Sequence, residues 1–231
     1  DWMVAVAQWV AALPGSIGRM AAFGTGPLVA ASIGIILLGL LRTPLRFGGA
    51  AALVGAVVWA LATPQPDILI SADGRTVGVR GRDGRLHMIG SGKGNTKDSF
   101  LLREWLAADA DGRPAADSSL AEGVSCDGAG CVAQLAGGGL VALALRPDAL
   151  ADDCERAALL VTARPAPAAC GALVVDQDRL RRQGALALRR ARDGFAVEAV
   201  RPRGVDRPWS PAAGGAEGET SLTRPAPPRA V

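Results

Sequence analysis

Tyrosine is missing from this chain of 231 residues, and histidine occurs once, as His87. These two scarcities exclude much chemistry. A catalytic zinc site takes three protein ligands and an open position, and a single histidine cannot build the usual set. A serine or cysteine nucleophile needs a histidine or lysine base held beside it, and no such base is suggested near Ser71, Ser125 or Thr162. The acid nearest His87 is Asp83, in a turn just before it, so His87 reads as a partly exposed strand residue. No enzyme activity, cofactor or metal is expected. Strong charge of either sign is lacking too. The net charge of +3 is far weaker than a dedicated DNA-binding domain carries.

Charge is also absent locally. No ionisable side chain occurs from Ala21 to Leu41 or from Phe47 to Pro64, and the link between these runs carries only Arg42 and Arg46. A helical membrane span needs about 20 apolar residues, with about 17 as the lower limit. Neither run keeps the polar stripe of a soluble helix. Pro44 sits in the link, where no helical hydrogen bond is lost. The expectation is a transmembrane helical hairpin, with helices over about 21–41 and 47–63. Lys and Arg concentrate in cytoplasmic loops, so the link would lie inside and everything after Pro64 outside. Residues 1–13, with Trp2 and Trp9, are too short to span and read as an interfacial helix. Asp1 stands where an initiator methionine would, so the chain is expected to be a fragment of a longer protein.

The four cysteines, Cys126, Cys131, Cys154 and Cys170, all follow Pro64. An even number on the outer side favours disulfides. Three pairings are open, of which Cys126–Cys131 and Cys154–Cys170 are favoured, each pair being close in sequence and separated by turn formers. A zinc site normally shows two C-x2-C knuckles, whereas the spacings here are C-x4-C and C-x15-C.

Beyond Pro66 the pattern turns to short β-type runs. Ile68–Ile70, Thr76–Arg80 and Leu86–Ile89 are separated by Asp73-Gly74-Arg75 and Asp83-Gly84-Arg85, and Asp-Gly between apolar runs is a strong hairpin signal. Ser91 to Lys97 is a glycine-rich loop with Lys93 and Lys97 that lacks the spacing of a phosphate-binding P-loop. A helix is expected from Asp98 or Ser99 through Leu106. Asp109, Asp111 and Gly112 look like the start of a calcium loop, but its later ligands are missing, so a plain turn is expected. Strands follow at 132–135, 140–145, 159–162, 173–175, 185–188 and 195–200, with helices over 147–156 and 176–183. The strand–helix–strand spacing suggests a βαβ unit with some parallel pairing. The domains expected are a membrane segment over 1–66, a mixed α/β domain over 67–201 and a disordered Pro/Gly-rich tail over 202–231.

Several of these stretches form an ordered series. Trp9-Val-Ala-Ala-Leu-Pro-Gly15, the hydrophobic hairpin and Pro66-Asp-Ile-Leu-Ile-Ser-Ala-Asp-Gly-Arg-Thr-Val-Gly-Val-Arg80 come first. Cys126-Asp-x-x-Gly-Cys131, Asp153-Cys154, Leu180-Arg-Arg-x-Gly-Ala-Leu-Ala-Leu188 and Arg207-Pro-Trp-Ser-Pro211 follow. The series resembles the C-terminal portion of ComEC-type competence proteins, inner-membrane channels for transforming DNA. The resemblance implies an α+β fold in which the hairpin precedes a degenerate metallo-β-lactamase-like domain. That family's H-x-H-x-D-H metal cluster is absent here. It also implies a bacterial inner-membrane location with the domain on the periplasmic side. The expected partners are single-stranded DNA, the remaining transmembrane part of the same protein, membrane lipid and other competence proteins. A basic set, Lys93, Lys97, Arg181, Arg182, Arg189 and Arg190, is the candidate contact with DNA phosphates. The alternatives are a disulfide-stapled structural or partner-docking domain, and a metal-dependent nuclease with rearranged ligands.

Overall fold

A computed structural model of the chain describes residues 2–13, 20–90, 96–167, 169–192, 194–202, 204, 209 and 221–223. The chain divides into two compact units. One is Asp1–Gln65 with Arg103–Arg113, and the other is Pro66–Leu102 with Pro114–Val231.

The first unit is helical. α1 (Trp2–Ala11) has no buried residue. α2 (Thr25–Leu40) and α3 (Arg46–Ala62) pair through small side chains, burying Pro27 and Gly34 on one and Gly49 and Ala56 on the other. A Cβ on Gly34 would lie 2.9 Å from the Gly49 carbonyl oxygen, and one on Gly49 would lie 2.7 Å from that of Gly34. The two backbones thus approach where no side chain intervenes. The large residues stay outside: Leu28, Ile35, Val58 and Leu61 are all exposed.

These helices correct the expected transmembrane hairpin. Among the described residues, no helix is long and apolar enough to cross a membrane. α2 has 16 residues and α3 has 17. At ~1.5 Å per residue they reach about 24 and 26 Å, short of a hydrocarbon core of ~30 Å. The charge-free run over 21–41 overstates its helix because Gly24 is extended and Pro27, lacking an N–H, belongs in a first turn. At the other end Leu41 is already extended. The orientation drawn from the link arginines loses its basis with the spans.

α4 (Thr96–Ala108) starts ahead of both expected caps, Asp98 and Ser99. It ends in the first unit, in a Schellman turn. The Asp111 N–H donates to Leu106 O at 2.8 Å, and the Ala110 N–H to Ala107 O at 3.1 Å. Ala110 takes the left-handed conformation there, at φ 56°. The turn expected at Asp109–Gly112 is present, and an enclosed ion pair between Asp111 and Arg113 adjoins it. Arg113 donates from Nε and Nη2 to Asp111 Oδ2 at 2.9 and 2.6 Å, with both side chains under a tenth exposed.

The second unit is α+β. Its first sheet is antiparallel, in the order β11 (Ser221–Thr223), β10 (Gly194–Ala199), β9 (Leu186–Ala191), β1 (Ile68–Ile70), β2 (Val77–Arg80), β3 (Leu86–Ile89). Its second sheet runs β4 (Val124–Cys126), β5 (Gly130–Gln134), β6 (Leu140–Ala144), β7 (Leu159–Thr162), β8 (Leu173–Val175). Within it β6–β7 and β7–β8 are parallel. The β6–β7 crossover carries α5 (Leu150–Arg156), and α6 (Gln177–Gln183) follows β8. Inside the stretch expected to be a disordered tail, β11 pairs with β10 in the register Phe195↔Leu222.

One cluster joins the inner faces of the two sheets: Ile68, Ile70, Val77 and Leu188 pack with Val141, Leu143, Leu159 and Val161. The strand period of two sends Ala142, Ala144 and Leu160 to the other face of the second sheet. There they pack with Leu150, Cys154 and Ala157 on and beside α5. A sheet covered on both faces reads as a continuous apolar run, as Leu140–Ala144 and Leu159–Val161 do.

Candidate functional site

The carboxyl ends of the parallel strands β6, β7 and β8 open on a cavity of about 570 Å³. Crevices at strand carboxyl ends are where sheets with parallel strands bind ligands, and this volume is in the range of small-molecule sites. The residues that follow the strands line it: Leu145 after β6, Arg164 and Pro165 after β7, Gln177 after β8. The β1–β2 turn and the end of β3 complete it with Arg75 and Gly90.

Local chemistry fixes both arginines at the backbone. The β1–β2 turn is stitched by Ser71 and Asp73. The Ser71 hydroxyl donates to Asp73 Oδ1 at 2.6 Å and accepts the Thr76 N–H at 3.0 Å, while the Arg75 N–H donates to Asp73 Oδ1 at 3.1 Å. The Arg164 N–H donates to the buried Thr162 hydroxyl at 3.2 Å, and its carbonyl accepts the Gln177 N–H at 3.3 Å. Gly90 closes the floor at φ 80°, and a Cβ there would meet the Arg75 carbonyl oxygen at 2.3 Å. Only glycine permits that approach. Among the described residues, the lining contains no carboxylate.

Of the residues expected to contact DNA, Arg181 and Arg182 lie on α6, and Arg189 and Arg190 on β9. Arg181 pairs with Asp178 on α6, and Arg189 pairs with Glu198 across β9–β10 at 3.7 Å. Arg190 donates from Nη1 and Nη2 to the carbonyls of Gly137 and Gly138, each at 2.6 Å, and its N–H reaches Asp67 Oδ2 at 2.6 Å. It ties the first sheet to the β5–β6 turn of the second. Arg182 is exposed on α6. Lys93 and the side chain of Lys97 lie outside the described residues, although the Lys97 backbone falls in α4.

All four cysteines are paired, as Cys126–Cys131 and Cys154–Cys170. The first pair bridges directly opposite residues of β4 and β5, with Cα atoms 4.0 Å apart. The second ties α5 to the loop before β8, with Cα atoms 4.9 Å apart. Cys126 is exposed, whereas Cys154 is buried.

A second cavity, of about 320 Å³, lies beside the first disulfide and carries Asp127, Asp148, Asp152 and Asp153. The N–H groups of Gly130 and Ala129, both 2.8 Å away, hold the Asp127 carboxyl below its ordinary range. Burial, then the neighbouring charges of Asp152 and Asp127, push Asp153 up. Among the described residues no group of three or more metal-ligating side chains comes together.

His87 is the partly exposed strand residue expected, on β3 with its side chain 12% exposed. Its Nε2 lies 3.0 Å from Asp83 Oδ1. That bond, the largest influence on Asp83, holds its carboxyl below the ordinary range. The Nδ1 atom is buried with no hydrogen-bond partner among the described residues.

Sequence reasoning missed Arg75, Arg164 and Gln177. They lie far apart in the chain, and Arg75 looks like Arg85, which occupies the same place in the second Asp-Gly-Arg turn. No protein-family profile, curated protein or solved structure matches the chain.

Proposed function

We propose that the two-sheet unit is a non-catalytic, disulfide-braced binding module that works in an oxidising compartment, the periplasmic side of a bacterial inner membrane, as part of a ComEC-type DNA-uptake protein. The observation that carries the compartment is the pairing of all four cysteines. Disulfides persist in oxidising compartments and are rare where glutathione and thioredoxin keep thiols reduced. The two bridges brace the second sheet at its β4–β5 edge and on the face that carries α5. The resemblance of the ordered motifs supports the place in DNA uptake.

Thiol counting on protein taken from its native host under alkylating conditions tests the compartment. No free thiol is expected, and four free thiols would overturn the reading. Elemental analysis of the same sample separates a binding module from a metal-dependent nuclease with rearranged ligands. The module predicts no stoichiometric metal.

A further inference from the structure

The cavity at the carboxyl ends of β6, β7 and β8 has an unbalanced charge. Among the described residues, its only ionisable lining side chains are Arg75 and Arg164. Neither guanidinium has an ion-pair or hydrogen-bond partner among the described residues. Elsewhere in the same unit Arg190, Arg189 and Arg181 each meet a carbonyl or carboxylate. Two exposed arginines on one surface are commonplace. Here they come from opposite sheets, are fixed at the backbone by Asp73 and Thr162, and share one concave site with the Gln177 side chain.

We infer that this cavity binds a phosphate monoester of small-molecule size through Arg75 and Arg164. A guanidinium presents a planar fork of donors that matches phosphate oxygens. A phosphate monoester carries about −1.5 to −2 charge near neutral pH, enough to balance two guanidinium groups, whereas a ligand with a single carboxylate supplies about −1. The volume of about 570 Å³ exceeds what the phosphate fills, and Leu145 and Pro165 give the organic group an apolar wall. The inference is independent of the compartment and of DNA uptake.

Calorimetric titration of the full 231-residue chain with thymidine 5′-monophosphate, inorganic phosphate and thymidine tests it. Both phosphates should bind and thymidine should not. A tighter monophosphate shows that the organic group is seated, and equal affinity identifies the free anion as the ligand source. Either result keeps the shared chemistry. Arg75→Ala and Arg164→Ala should each weaken binding about tenfold or more. Both positions are exposed, so unchanged melting curves should confirm that the variants fold. Arg182→Ala, outside the cavity, should leave binding unchanged. No binding of either phosphate at millimolar concentration overturns the inference. So do equal binding of thymidine, insensitivity to both cavity variants, and an equal loss with Arg182→Ala.

Discussion

In the helical unit Leu28, Ile35, Val58 and Leu61 all face outward, while in the sandwich Leu143, Leu159 and Leu188 are wholly enclosed. Both regions are rich in apolar residues, so composition does not account for the difference. Two helices that meet glycine to glycine leave little room at that contact for a large side chain. Two stacked sheets sit ~10 Å apart and need large side chains to fill the gap. Burial follows from the number of layers and their separation.

The comparison is broken most directly by making one substitution in each region. Leu159→Ala should lower stability by about 2–5 kcal/mol through lost transfer energy and a residual cavity. Leu61→Ala, 78% exposed on α3, should change it by less than about 0.5 kcal/mol. Denaturant unfolding measures both, and equal costs would mean that the helices enclose more than their pairing suggests.

The disulfides sharpen the comparison within the sandwich. By chain entropy, replacing Cys154 and Cys170 with serine should cost about 3 kcal/mol, and replacing Cys126 and Cys131 about 2 kcal/mol. Cys126–Cys131 has an exposed sulfur-bearing residue and should be reduced first as reductant is raised, as timed alkylation and mass analysis would show.

Within the helical unit, glycines at the contact should differ from those away from it. Gly49→Val forces the α2 and α3 backbones apart and should destabilise by about 1–3 kcal/mol. A Cβ on Gly55 would meet nothing within 4 Å, so Gly55→Ala should stabilise α3 by about 0.5–1 kcal/mol. Thermal melts of the two variants should therefore shift in opposite directions.

Acid gives the smallest contrast. Asp83 and Asp127 both have carboxyls held below the ordinary value of 3.8. Their stabilising contribution is present above that value and lost as pH falls below it. Asp153 is shifted up, so its contribution runs the other way, present below 3.8 and lost as pH rises through its raised pKa. The α1–α3 sequences contain no Asp or Glu. The loss due to Asp83 and Asp127 should therefore register in the sandwich, and Asp83→Asn should blunt the part of it due to the Asp83–His87 bond.

Local signals made much of the sandwich legible. The Asp-Gly turns place β1, β2 and β3 within one residue of their observed ends, and Asp176 caps α6 through its bond to the Arg179 N–H at 2.9 Å. The βαβ spacing is realised in the parallel pairing of β6 and β7 around α5. The helix ends were less legible, because an absence of charge extends past the residues that a glycine and a proline allow to be helical. Side-chain roles were the least legible. Arg189 and Arg190 look alike in sequence, but the strand pleat sends them to opposite faces, one toward Glu198 and the other to the β5–β6 turn. The cavity depends on contacts between chain segments remote from one another, which no local pattern encodes.

β11 lends the last lesson. With Ser221–Thr223 laid along β10, the chain shields its own hydrogen-bonding seam at Gly194–Ala196. Cutting the polypeptide back to residue 200 would bare those amides and carbonyls to any passing strand, including that of a sibling molecule. What looks expendable at the far end is thus a guard against self-association, and shortening the protein to improve its behaviour would have the reverse effect.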